Sequence, residues 1–178
     1  SNPEGVVSDI TQLSEIAHDE GIPLIIDNTM ATQAMCQPAN YGADIIIYST
    51  TKFLSGHGNA MGGCVVDTGK FDWANNRGFE KLNEPDTSYH GIKFYETFGN
   101  LAYINFCHAC ALRDLGTTMS PFNAYLTLTG IETLNLRMQK HMSNAEKVAN
   151  FLIKHNKVDT VSWSGFQNNK SYKLAKKY

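Results

Sequence analysis

The 178 residues, 42% of them hydrophobic, allow one sizeable core and an ordinary globular class. A formal net charge of -2, with 15 basic and 17 acidic residues mixed along the chain, leaves no basic stripe for nucleic acid or for an anionic membrane. No apolar run approaches the ~20 residues of a membrane span, and the first residues, SNPEGVVSD, lack the basic and apolar regions of a signal peptide, so a cytoplasmic location is expected. The four cysteines are too sparse for a disulfide framework and read as free thiols.

In chain order, Ser8 is the expected cap of a helix through ITQLSEIAHDE, with Ile10, Leu13, Ile16 and Ala17 on one face and Gly21 as its stop. Leu24, Ile25 and Ile26 then form a continuous apolar run ending at Asp27. A second run, Ile45, Ile46 and Ile47, ends at Tyr48 and Ser49. Runs without alternation predict buried strands of a parallel sheet covered on both faces, and in such sheets ligands gather at the carboxyl ends of the strands. Asp27 and Ser49-Thr50-Thr51-Lys52 stand at those ends, an acid, three hydroxyls and an amine on one rim. Pattern alone leaves two other readings open: Asp27 as a turn or cap residue, and Lys52 as a solvated charge.

The glycine-rich SGHGNAMGG comes next, then a third short strand at Cys64-Val65-Val66. A dinucleotide motif fails on position, because the third glycine of G-x-G-x-x-G would fall on Met61. Residues 70–91 read as an ordered polar excursion anchored by Trp73, Phe79 and Tyr89. Phe94 to Leu115 reads as one helix. Its Cys107-His108-Ala109-Cys110 is expected to be small buried helix residues: one pair supplies too few metal ligands, and a redox pair would open a helix rather than sit inside it. Ser120-Pro121 starts another helix, interrupted near Gly130 and continuing through Leu134, Met138 and Met142 towards Leu152. Val158 and Val161 suggest a short strand, and SYKLAKKY the start of a helix.

DNTMAT followed by YSTTKFLSGHGNAMGG resembles the aspartate and lysine motifs of the pyridoxal-phosphate enzymes of cysteine and methionine metabolism, and the separation of 25 residues (52 minus 27) fits that motif. The likeness extends from Asn2-Pro3 to SPFNAYLTLTGIETLNLRMQKHMSNAEKVANFL. It implies an α/β fold, part of a fold-type I (aspartate aminotransferase-like) enzyme, with a mostly parallel sheet flanked by helices and the start of a smaller C-terminal domain. Residues 1–132 would belong to the large cofactor-binding domain, and residues 133–178 to a linking helix and the small domain.

The resemblance also implies roles. Lys52 would form the Schiff base with pyridoxal 5'-phosphate and act as the proton shuttle. Asp27 would pair with the ring nitrogen, Ser49 and Thr51 would bind the phosphate, and Asn2 would lie near the ring oxygen and the substrate carboxylate. No metal is implied. His57 reads equally as a structural histidine bonded to backbone. The excursion at 70–91 looks most like the O-acetylhomoserine sulfhydrylase branch, implying γ-replacement with sulfide or a thiol by a homo-oligomer, a dimer or tetramer, with no nucleic-acid or membrane partner. Cystathionine γ-synthase, γ-lyase and methionine γ-lyase activities are the alternatives within the family, and a non-catalytic assembly module is the alternative outside it. The family's ring-stacking aromatic, glycine-containing phosphate loop and carboxylate-binding arginine do not appear in the sequence. An internal fragment is therefore expected, inactive and prone to aggregate when isolated.

Overall fold

The computed structural model describes residues 5–178; Asn2 lies outside the described residues. Helix α1 (Ile10–Asp19) is capped by Asp9, whose carboxylate accepts the Gln12 N–H at 3.3 Å, one residue later than the sequence suggests. Its inner face also differs from expectation. Ile10, Ser14 and Ala17 are buried, while Leu13 and Ile16 stay exposed. The reason lies opposite Ser14, which donates its hydroxyl to the Gly42 carbonyl at 2.9 Å across a contact too close for a Cβ on Gly42.

Strand β1 (Ile25–Asp27) leads through α2 (Thr32–Met35) and a 3-10 turn (Pro38–Tyr41) to β2 (Ile45–Ser49). The two strands run parallel, with Ile25 opposite Ile45 and Asp27 opposite Ile47. Buried Asp44 ties their near ends together, accepting from the Leu24 N–H at 2.8 Å and meeting His18 Nε2 at 2.7 Å. Strand β3 (Gly63–Asp67) pairs antiparallel to β2, giving the order β1-β2-β3.

Burial on both faces, expected for the two runs at 24–26 and 45–47 but not specified for the third strand, is met by the first half of the central strand β2. Ile45 and Ile46 are buried, but Ile25 is 51% exposed and Val65 and Val66 are 45% and 41% exposed. An unbroken apolar run reports strand preference; cover over its faces depends on what packs there.

The polar excursion is ordered around aromatic rings. Phe71 and Trp73 are buried with Leu82 of α3 (Glu80–Asn83), Phe94 of α4 (Phe94–Phe98), Ala102 of α5 (Ala102–Phe106), Cys110 and Ile45. Trp73 stacks on Tyr103 at 5.1 Å and meets Phe71 edge-on at 4.7 Å. The single helix expected over 94–115 is broken. Gly99, at φ 56° and ψ -134°, ends α4, a 3-10 turn comes after it, and Cys107–Leu112 is a π-helical stretch leading to α6 (Arg113–Leu115). Cys110 is buried as expected, whereas Cys107 is only half-buried; both are free thiols.

Ser120 caps α7 (Pro121–Ile131), accepting from the Asn123 N–H at 3.2 Å, and α8 (Leu134–Leu152) begins after a break next to Gly130. The strand expected at Val158 and Val161 does not form. Those residues lie in irregular chain, and among the described residues no strand is paired with them. The final helix, α9 (Tyr172–Lys177), returns to the first, where the Tyr178 hydroxyl bonds the Asp9 carboxylate and accepts the Thr11 N–H at 3.1 Å. Among the described residues no helix is long and apolar enough to cross a membrane.

Candidate active site

The parallel pairing of β1 and β2 puts their carboxyl ends side by side, and the chain beyond each end is stitched to the other. Asn28 donates its N–H to the Ile47 carbonyl at 3.0 Å. The buried Thr29 hydroxyl accepts the Ser49 N–H at 2.8 Å, and the Thr29 N–H bonds Asp27 Oδ1 at 2.9 Å. Asn28 Nδ2 donates to the Cys36 carbonyl at 2.9 Å and to the Tyr48 hydroxyl at 3.2 Å. Asp27 thus forms an Asx turn, the bland role that the sequence left open, yet this uses only one of its carboxylate oxygens. Among the described residues its Oδ2 has no hydrogen-bond partner, and the residue is exposed.

After Ser49 the chain enters a π-helical turn, Thr50–Leu54, in which the Ser55 N–H reaches back to the Thr50 carbonyl at 3.0 Å. Lys52 leaves the helical conformation inside this turn, at φ -89° and ψ -121°. Its side chain is exposed and makes no ion pair among the described residues. The half-buried Ser49 hydroxyl likewise has no partner among them.

Thr51 is differently placed. Its hydroxyl accepts the Gly62 N–H at 3.1 Å and donates to the Gly62 carbonyl at 3.4 Å, closing the glycine-rich loop back onto the turn. The second bond is at the long limit and is readily exchanged for a better acceptor. Thr50 is buried, 3% exposed, and its hydroxyl has no partner among the described residues.

The chain at and just beyond the two adjoining strand ends therefore carries a carboxylate oxygen, a hydroxyl and an amine that have no partners among the described residues, with the Thr51 hydroxyl between the last two in sequence. This donor set suits a pyridoxal phosphate: a carboxylate for a ring N–H, hydroxyls for a phosphate and an amine for an aldehyde. His57 bonds the Ser55 carbonyl through Nδ1 at 2.5 Å, consistent with its structural reading.

Two participants escaped the sequence reading. Thr29 had a local signal, standing two residues after an aspartate at a strand end. Arg137, on α8, had none, because its contact with the lysine turn spans 84 residues of chain.

All 178 residues match the model of the family described as Cys/Met metabolism PLP-dependent enzyme. The chain is 47% identical over 185 residues to the O-acetyl-L-homoserine sulfhydrylase of Leptospira meyeri and 48% identical over 179 residues to the homocysteine synthase of Schizosaccharomyces pombe. Each alignment covers 99% of this chain and 42% of the relative. A crystal structure from Campylobacter jejuni, assigned as an O-acetylhomoserine (thiol)-lyase and holding N'-pyridoxyl-lysine-5'-monophosphate, matches with a TM-score of 0.94 and 39% identity. That match covers 100% of this chain and 43% of the other. The chain thus spans under half the length of these relatives, and its fold is part of that pyridoxal-phosphate architecture.

Proposed function

Because the chain belongs to the Cys/Met metabolism PLP-dependent enzyme family, we propose that its strand ends hold pyridoxal 5'-phosphate and that the intact protein performs γ-replacement on O-acetyl-L-homoserine. Sulfide or a thiol is the acceptor, and homocysteine or methionine and acetate are the products. The observation that supports this reading is that Asp27 ends one strand, Ser49 ends its parallel neighbour and Lys52 lies in the turn directly after it, each with a polar group that has no partner among the described residues. The names of the relatives supply the substrate class. The protein would work in the cytoplasm as a homo-oligomer, a dimer or tetramer.

When bound, the cofactor supplies an electron sink for negative charge developing on the substrate carbon chain. The residues of this chain then divide the work. Lys52 Nζ would be the amine that anchors the aldehyde and, when freed by substrate, the base that takes the α proton and then a β proton, so that acetate can leave from the γ carbon, and that returns both after sulfur has added. The carboxylate of Asp27, held by the Thr29 N–H, keeps the ring nitrogen protonated, since a nearby negative charge favours the cationic form. Ser49 and Thr51 donate hydroxyl hydrogen bonds to the phosphate, strengthened by its charge. At the γ carbon the C–O bond breaks, acetate leaves with the electron pair, and hydrosulfide or thiolate forms the C–S bond.

Borohydride reduction of the cofactor-loaded intact protein, followed by peptide mass mapping, tests the site. The expected label is on Lys52; a label on Lys70 or Lys81 would sink the assignment. Incubation with O-acetylhomoserine and sulfide should yield homocysteine, whereas release of ammonia and a keto acid without sulfur incorporation would make the protein a lyase.

A further inference from the structure

We propose that Arg137 is a positioning residue for Lys52, its guanidinium fixing the conformation of the π-helical turn that carries the lysine. This rests on the reading of Lys52 as the cofactor-anchoring residue. The geometry is a fork with both edges engaged. Nη1 donates to the Phe53 carbonyl at 2.9 Å, and Nη2 to the Leu54 carbonyl at 3.4 Å and the Gly130 carbonyl at 2.7 Å. Nε donates to Thr133 Oγ1 at 3.1 Å. One rigid planar group therefore joins the turn to the junction between α7 and α8. Among the described residues it pairs with no carboxylate, so its hydrogen bonds serve the backbone and one hydroxyl.

The turn needs such a partner because the helical conformation stops directly after it. Ser55 and Gly56 donate back to the carbonyls of Thr50 and Lys52, and then the chain leaves the helix through Gly56 at φ 71°. The next two carbonyls, of Phe53 and Leu54, face the end of a helical turn with no further backbone donors in line, and these are the two that Arg137 takes.

Packing supports the same contact. A Cβ on Gly56 would overlap the guanidinium, and a Cβ on Gly130 would overlap the Ser55 carbonyl, so both glycines permit the approach. Beneath the fork, Leu54 packs with Leu134 and Met138 in a small apolar cluster. A lysine at this position could supply charge but not the two-edged fork.

The test compares the intact cofactor-free protein with its Arg137→Ala and Arg137→Lys variants by residue-resolved amide hydrogen exchange, with ethylguanidinium added as a rescue. In Arg137→Ala, the Ser55 and Gly56 amides should exchange roughly ten- to a hundredfold faster, the factor expected for losing charge-assisted hydrogen bonds, while Ile46 in β2 is unchanged. Ethylguanidinium should reverse the gain, and Arg137→Lys should stay fast. The rate of hydride-trappable cofactor attachment at Lys52 should fall in parallel with the loosening.

Unchanged exchange at Ser55 and Gly56, an equal rise at Ile46, or full function in Arg137→Lys would each overturn the proposal. A hydride label on another lysine in the unaltered protein would instead remove the assignment of Lys52, and the positioning role with it, while the exchange result at the turn stands separately.

Discussion

The strand ends around Lys52 and the aromatic cluster around Trp73 share the strand β2 but are held by different forces. The first is fixed by directional bonds: Thr29 to Ser49, Asn28 to Ile47 and Tyr48, Thr51 to Gly62, and Arg137 to the turn. The second is fixed by area and shape, with Phe71, Trp73, Phe94 and Ala102 excluded from water, Trp73 edge-on to Phe71 and stacked on Tyr103, and Phe94 edge-on to Phe106. Apolar burial is roughly proportional to area and indifferent to direction, so it can support a scaffold but cannot aim an amine. Hydrogen bonds contribute less net stability each, yet they specify geometry. Changes at the strand ends should therefore damage chemistry more than stability, and changes in the cluster the reverse.

The largest separation is expected from Asp27→Asn. The amide keeps a carbonyl oxygen for the Thr29 N–H but loses the charge facing the ring nitrogen, so turnover of the loaded intact protein should fall by roughly a thousandfold with little change in melting temperature. Near-normal turnover would reduce Asp27 to its turn role.

Trp73→Ala tests the other region. Removing a side chain only 2% exposed should cost about 3–5 kcal/mol, read from the denaturant midpoint, while turnover per folded molecule stays close to that of the unaltered protein. A loss of turnover without a loss of stability would contradict the division between the regions.

Gly130→Ala probes the seam. The added methyl meets the backbone carbonyl of Ser55, which cannot rotate away like a side chain, so a cost of about 1–3 kcal/mol is expected, again from denaturant unfolding. Cofactor attachment should suffer with it, because the helix α7 bears directly on the end of the lysine turn.

The smallest effect concerns pH. Burial holds the Asp67 carboxyl above the usual carboxylate range, against the Gly69 N–H that lowers it, and its Oδ2 is buried without a partner among the described residues. A carboxyl raised on folding contributes stability while protonated, below its unfolded pKa, and loses that contribution as pH rises through its folded value. Asp67→Asn should flatten this decline in stability across and just above the carboxylate range, with no effect on the Lys52 site. An unchanged slope in urea melts at several pH values would show that Asp67 does not titrate as described.

Local features of the sequence determined much of this protein. The strand preference of the two isoleucine runs, the capped start at Ser120-Pro121, the break near Gly130 and the aromatic anchors of the excursion are each properties of a few neighbouring residues, and they were legible for that reason. The position of Asp27, Ser49, Thr51 and Lys52 at and after the ends of those runs was legible in the same way, whereas the roles proposed for them come from the family resemblance. Tertiary structure decided the rest. Helix α1 turned Ser14 inward in place of Leu13 because Gly42, 28 residues away, offered its carbonyl. The segment 94–115 is divided into short helical pieces, first at Gly99 and again at the π-helical stretch Cys107–Leu112, and Val158 and Val161 pair with no strand among the described residues. Cover over a strand, like the grip of Arg137 on the lysine turn, depends on groups far apart in the chain, and a hydrophobic pattern or a motif carries no record of which distant partner will arrive.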